Sequence, residues 1–401
     1  MRKSITSWVC VLFLAYINGC GSPVGQPASD KISMETHQEE VFRMEDFFSE
    51  IKVIPLETTN ECLLTRIRQV EVVDSLVFIS DNNHQLYVFN LDGHFLRQIG
   101  IQGQGPKEYR TFNAFYVNRS SRTVTLVDHT QRALLTYLFD GSFVSSESIP
   151  DRRIAWEDYA QLAGDGNVLL SNAMNPEHDR AYTLLDPSKK DTLPLPFTYR
   201  PIRLKGYSYN FAAHPMSVTD GNIYFTMPLD SVIYEYSDGK ISPRYTLEVP
   251  REMISKKSMG EAVAAPDTKS YPSELMRLCG KNSFAGFTNI FATNKYFWLD
   301  CAPTFRGEEI CVLDREKEVV HYYRNNISLS DKLLHPYTDI MASFDNGLVG
   351  VFTNTFSINY FKSMMENPEA FGVTGVHPAV KEALAAADDE DNHILVFYYL
   401  K

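Results

Sequence analysis

Five short polar residues recur at one point of a repeating pattern: Asn113, Asp158, Asn210, Asn289 and Asp339 each stand just before an apolar run. A ring of such side-chain oxygens could hold calcium or another divalent cation, or bond sugar hydroxyls. The same residue types also start strands by bonding their own backbone in Asx turns, and that reading carries more weight. The first copy of the pattern has Arg66-Ile67 at this point, so any ring would be incomplete.

Aromatic residues cluster near the same segments: Trp156, Tyr159, Tyr207, Tyr209, Phe284, Phe287 and Tyr337. On loops they would stack on sugar rings or flat ligands, while packed inside they would fill gaps between sheets. Trp156, Tyr159, Tyr207, Tyr209 and Tyr337, together with His214, make the candidate ligand-binding set. His335 stands near the same segments. No His-x-x-x-His or Cys-x-x-Cys spacing occurs, and Cys62, Cys279, Cys301 and Cys311 are too scattered for zinc. Cys301 and Cys311 could bridge a hairpin or remain buried thiols. There is no Gly-x-Ser-x-Gly elbow and no assignable acid–base pair, so no catalytic residue is named.

The stretch Gly100-Ile101-Gln102-Gly103-Gln104-Gly105-Pro106-Lys107-Glu108-Tyr109 superficially resembles a phosphate cradle. It lacks a following Lys-Ser/Thr and opens no long helix. Its glycines and proline exclude regular helix or strand, so it is a shaped connector in which Glu108 pairs or caps locally and Tyr109 packs.

That connector separates two similar units, and the pattern continues along the chain. Runs such as Leu76-Val77-Phe78-Ile79, Leu134-Leu135-Thr136-Tyr137 and Ile223-Tyr224-Phe225 alternate with turns at Asp92-Gly93, Asp140-Gly141, Asp220-Gly221, Asp238-Gly239 and Asn346-Gly347. Four short apolar strands joined by Asx-Gly hairpins make a propeller blade. Six copies can be counted, starting near Arg66, Phe112, Trp156, Tyr209, Thr288 and Thr338. Two apolar strands are left over, Ile51–Glu57 and His393–Leu400. Pairing them in one composite blade would close the ring and remove exposed edges. The expected fold is all-β: a six-bladed β-propeller of four-stranded antiparallel blades over 41–401, with short helical insertions. Pro378–Ala386 reads as a helix with proline in its first turn, and Arg251–Leu278 has helix-tolerant composition.

Composition fits this body. Aromatics make up 12% of the chain and the formal charge is −12, which argues against nucleic acid as a partner. At the N-terminus, Arg2 and Lys3 precede a short apolar run from Trp8 to Ala15 and then Ile17-Asn18-Gly19-Cys20. This is the pattern of a cleaved signal peptide (1–19), too short for a membrane span. A cysteine after a small residue there resembles the bacterial lipoprotein box, which implies acylation of Cys20. The polar stretch 20–40 reads as a flexible tether, making the membrane a partner through the lipid. Gly21-Ser22-Pro23-Val24 lacks the acidic residues of Bacteroidota surface-export signals, so the periplasmic side of the outer membrane is expected over the cell surface.

Phe95–Tyr109, Ile54-Pro55-Leu56-Glu57 and Asp391-Asn392-His393-Ile394-Leu395-Val396 together resemble the six-bladed β-propeller lipoproteins of Bacteroidota, which are distantly like NHL-repeat propellers. Lys107 and His393 depart from the family's usual glycine and proline. The resemblance implies an architecture and a compartment, without an activity. Two functions follow. The preferred one is a membrane-tethered binding or scaffold module for a glycan, peptide or protein on one propeller face. The other is an NHL-like lyase or hydrolase using a divalent cation in the channel.

Overall fold

The computed structural model describes residues 31–34, 42–149, 159–171, 182–193, 195, 214–227, 229–254, 283–301, 309–324, 338–352, 357–367 and 377–401. Its first elements are β1 (Lys31–Ser33), the single-turn α1 (Met44–Phe47) and β2 (Phe48–Pro55). Blade one then follows as β3 (Ile67–Val73), β4 (Leu76–Asp81), β5 (Leu86–Asn90) and β6 (Phe95–Gln98). Blade two is β7 (Phe112–Asn118), β8 (Thr123–Asp128), β9 (Ala133–Leu138) and β10 (Phe143–Ser148). Blade three is β11 (Tyr159–Leu162), β12 (Val168–Ser171), β13 (Tyr182–Asp186) and β14 (Asp191–Leu193). Blade four is β15 (Met216–Thr219), β16 (Asn222–Thr226), β17 (Val232–Ser237) and β18 (Lys240–Glu248).

A two-residue parallel pairing of β19 (Glu252–Met253) with β20 (Ser283–Phe284) precedes blade five. That blade is β21 (Phe287–Ala292), β22 (Tyr296–Cys301), β23 (Glu309–Asp314) and β24 (Val319–Arg324). Blade six starts with β25 (Asp339–Phe344) and β26 (Gly347–Val351). After helices α2 (Ile358–Glu366) and α3 (Pro378–Ala386), it resumes with β27 (Ile394–Leu400). The helix expected from Pro378 forms over Pro378–Ala386. Most of the helix-tolerant stretch after Arg251 lies outside the described residues, as do Cys20 and the signal peptide.

The result is a six-bladed propeller of four-stranded antiparallel sheets. Blade six is composite, in the order β2-β27-β26-β25. β2 runs antiparallel to β27 from Phe48 opposite Leu400 to Pro55 opposite Ile394. Pro55 is tolerated there because β2 is the outer edge strand and needs no second set of ladder donors. The expected closure is therefore what the structure has. Asn392, 2% exposed, locks the seam. Its Nδ2 donates to the carbonyls of Glu57 (2.6 Å) and Cys62 (2.7 Å), and its Oδ1 accepts from the Leu64 N–H (2.7 Å).

Six apolar clusters occupy the six gaps between neighbouring blades, so the core is a ring of wedges rather than one centre. Strands apolar on both faces follow from this sandwiching. In the blade-four hairpin both Asp238 (φ 48°) and Gly239 (φ 74°) are left-handed, as a primed turn requires. In the Asp-Gly hairpins of blades one and two only the glycines, Gly93 (φ 84°) and Gly141 (φ 89°), are left-handed, while Asp92 and Asp140 are not. There the loop is longer, and Asn90 and Asp140 side chains accept backbone N–H groups within it. The Asx-Gly pairs therefore mark hairpins without sharing one turn type.

The stretch read as a flexible tether, 20–40, is not free throughout. β1 adds a parallel fifth strand outside β18, and Ile32 and Met34 are buried in the gap between blades four and five. Phe42, Met44 and Phe47 then pack against Trp298 and Tyr323 in the gap between blades five and six. Two alternating apolar residues, Ile32 and Met34, in so short and polar a segment give no strand signal.

Replacing Asn392 by Ala leaves three buried backbone groups without their partner. Unfolding in guanidinium should show a loss of about 3 kcal/mol, since each orphaned buried group costs about 1–3 kcal/mol with partial relief by water.

Candidate functional site: a well in the central channel

The inner strands β3, β7, β11, β15, β21 and β25 converge on the axis, and two hydrogen bonds cross it between blades that are not neighbours. Gln161 Nε2 of blade three donates to Glu71 Oε1 of blade one at 2.8 Å. Ser217 Oγ of blade four and Ser343 Oγ of blade six lie 2.9 Å apart. Ser217 Oγ also accepts from the Ala292 N–H of blade five at 3.0 Å. These bonds tie alternate blades together across the channel.

Beside these bonds is a well of about 370 Å³, at the small end of ligand sites. Its mouth is formed by the first hairpin of several blades, through Asn118, Ser120, Gly164, Asp220 and Asp345. Deeper lie Glu71, Tyr159, Gln161, Ser217, Phe291 and Ser343.

Glu71 is the central group. It faces the channel and is half-buried, and the loss of solvent around it raises its carboxyl above the ordinary range. Hydrogen bonds from Gln161, Gln69 and Tyr159 and the charge of Arg119 oppose the rise without cancelling it. Gln69 also clasps the neighbouring strand, donating from Nε2 to the Phe115 carbonyl at 3.0 Å. The Tyr159 phenol is pushed well up by burial and by the adjacent carboxyl. His214, 1% exposed, packs edge-on to Tyr159 (5.2 Å between ring centres) and against Phe291 (5.6 Å). Its ring nitrogens have no hydrogen-bond partner among the described residues, and burial lowers its pKa from 6.5 to about 4.

Of the sequence-selected residues, Tyr159 and His214 come together beside the well. Tyr159 is not on a loop: it is buried in the inner strand β11. The Asn/Asp set is dispersed by register. A bulge skips Asn113 in β7 and Thr288 in β21, so Asn113 matches Thr288 rather than Asn289. In β25 the skipped residue is Met341, which places Asp339 elsewhere again. Asn289 does local work, donating to Asp300 Oδ2 (2.7 Å) and accepting from the His214 backbone N–H (2.9 Å). Among the described residues no three His, Cys, Asp or Glu side chains gather as metal ligands. Asp158, Asn210, Trp156, Tyr207, Tyr209, Tyr337 and His335 lie outside the described residues. Those three placed Asn/Asp residues belong to the strand starts, whereas the well opens at the strand ends.

The remaining sequence candidates are structural. Phe284 and Phe287 are buried against each other in the gap between blades four and five. In the glycine-rich connector, Glu108 Oε2 accepts from the Gly105 N–H (2.8 Å) and Tyr109 is fully buried. Gly100 (φ 69°) sits where a Cβ would lie 2.9 Å from the Tyr137 ring, so no side chain fits. Cys301 and Cys311 are buried free thiols. The residues missed were Glu71, Gln161, Ser217 and Ser343. Their signal was present as single polar residues inside apolar inner strands, such as Val70-Glu71-Val72 and Ala160-Gln161-Leu162.

A family model matches residues 30–399, and its description is a domain of unknown function, DUF4934. The chain belongs to the DUF4934 family. Among solved structures, the propeller of this DUF4934 protein is similar to a putative exported protein from Bacteroides fragilis. That likeness has a TM-score of 0.71 and 19% identity, over 93% of this chain and 100% of the other. It is also similar to a DUF4221 family member from Bacteroides vulgatus, with a TM-score of 0.51 and 11% identity, over 88% and 97% of the two chains. Both likenesses concern the fold. No curated protein matches the chain.

The two titrations have opposite signs. A raised carboxyl pKa at Glu71 means the folded state holds its proton longer, so stability falls as pH rises from the ordinary carboxylate value through the raised one. A lowered pKa at His214 means stability falls as pH drops from 6.5 towards about 4, by on the order of 3 kcal/mol at ~1.4 kcal/mol per tenfold change. Thermal melts of His214→Phe across this window should show a shallower acid loss than the native chain. Glu71→Gln should remove the alkaline-side loss, being relatively more stable at pH 8 than at pH 4.5.

Proposed function

We propose that this protein is an exported, membrane-tethered binding module that recognises a glycan, peptide or protein partner through a group inserted in the channel well. The observation that carries this reading is the well itself. It is polar, reachable from one propeller face, and built from side chains contributed by separate blades. Side chains fixed by bonds across the ring present a pre-organised set of donors and acceptors, which reduces the ordering cost of binding. An exported protein among the similar structures and the signal-like N-terminus support a place in the cell envelope. In this reading Cys20 carries the lipid, and the body faces the periplasm from the outer membrane. Among the described residues no helix is long and apolar enough to cross a membrane.

The alternative, a lyase or hydrolase with a divalent cation, has no observation in its favour among the described residues. Binding of glycan and peptide panels, followed by thermal shift, tests the proposal with a blocked variant. Ser120 is an exposed residue at the mouth, so Ser120→Trp should obstruct the well while leaving the fold intact. A ligand at about 100 times its Kd should raise the melting point of the native chain, as expected for about 2.7 kcal/mol of linkage. The shift should be lost in Ser120→Trp. A ligand that binds both proteins equally would place recognition on another surface, and turnover that depends on added metal would favour the enzyme.

A further inference from the structure

We infer that the well is a receptor for a primary ammonium group, with the carboxylate of Glu71 as its counter-ion and Tyr159 and Phe291 as its aromatic walls. This inference rests on the reading of the well as the binding site and names the chemistry of what enters it.

The first observation is the arrangement of charge. Three carboxyls line the well, Glu71 inside and Asp220 and Asp345 at the mouth, against one guanidinium, Arg119. Arg119 is already engaged, donating to the Val72 carbonyl at 3.0 Å. Asp220 is partly answered by Arg315, 3.4 Å away. Glu71 has no ion pair within 4 Å among the described residues. A partly buried carboxylate with no ion-pair partner within 4 Å carries a desolvation cost, and an entering cation would relieve it. The chain's overall charge of −12 also attracts cations towards the mouth.

The second observation is geometric. Both amide donors, Gln69 Nε2 (3.3 Å) and Gln161 Nε2 (2.8 Å), converge on the same oxygen, Glu71 Oε1. Oε2 receives neither. A planar guanidinium seeks both oxygens of a carboxylate at once, whereas an ammonium is a compact point donor served by one. The aromatic rings of Tyr159 and Phe291 flank the same space, and ring faces attract cations once water is excluded. His214 packs behind both rings and stays neutral at physiological pH, so it sets no opposing charge there.

The titratable groups facing Glu71 are Tyr159 on β11 and Arg119 on the first hairpin of blade two, with Asp220 and Asp345 at the mouth. Without ligand, burial favours the protonated acid. Ammonium binding favours the carboxylate, so binding should strengthen as pH rises from the ordinary carboxylate range. A lysine side chain of a peptide and the amine of an amino sugar share this chemistry.

Titration calorimetry on the full-length chain distinguishes these sources. The probes are Nα-acetyl-lysine amide against Nα-acetyl-norleucine amide, and methyl glucosaminide against its N-acetylated form. At pH 7.5 at least one amine should bind about tenfold tighter than its neutral counterpart, a difference of one decade in Kd. It should weaken at pH 5. Glu71→Gln should abolish the preference, and Phe291→Leu, which keeps the charge, should loosen the amine more than its neutral counterpart. Which amine prevails identifies the source. Equal binding of amine and neutral partner, or an amine preference that persists in Glu71→Gln, overturns the ammonium assignment. If the neutral probes compete in the native chain but not in Ser120→Trp, the well stands as a site for uncharged ligands and only this inference falls. If no probe binds any form, the ammonium assignment falls as well.

Discussion

The antiparallel seam between β2 and β27 is the interaction on which the rest of this propeller depends. Every other blade is made from consecutive strands and would form a local sheet by hairpin closure alone. Blade six cannot: its outer strand comes from the beginning of the body and its third strand from the end. Only when those two meet does blade six present complete faces to blades five and one, filling the last two gaps. Ring closure also sets the distance between opposing inner strands. The bonds from Gln161 to Glu71 and between Ser217 and Ser343 each join alternate blades across the channel, so their geometry depends on how the ring is drawn together. The candidate site is thus a consequence of the seam rather than of any single blade.

Much of the fold could be read in advance because its signals are local. Asx-Gly pairs mark the hairpins, and uninterrupted apolar runs mark strands covered on both faces. The leftover strands at Ile51–Glu57 and His393–Leu400 demanded each other, since an apolar edge left open invites aggregation. α3 was legible from Pro378, whereas α2 depends on the Ser357 cap and on Ile358, Phe361 and Met364 facing the same gap. β1 was not legible, because three residues carry no period and its pairing with β18 is more than 200 positions distant.

The site was legible only in part, for two physical reasons. Bulges near the start of β7, β21 and β25 displace register by one, so residues equidistant from an apolar run do not occupy equivalent places. This is why Asn113, Asn289 and Asp339 do not share a level. Second, Glu71 and Gln161 are partners across 90 positions and across the ring. Nothing local reports such a pair, although each is a polar residue in an otherwise apolar inner strand. Tyr159 was chosen as a loop aromatic and His214 as a residue near the same face; the structure sets them beside the well as buried packing partners, with the Tyr159 phenol on Glu71.

The closed ring is the claim that everything else requires, and native-state hydrogen exchange tests it most directly. β27 lies between β2 and β26, so its amides should exchange only through global opening, with the same free energy as those of the inner strands. The amides of β2 that bond to β27 should be protected to a similar level. Fast exchange of β27 or of those β2 amides, at the rate of surface loops, would show that the seam opens independently. The ring, its cross-channel bonds and the well would then lack the foundation assigned to them.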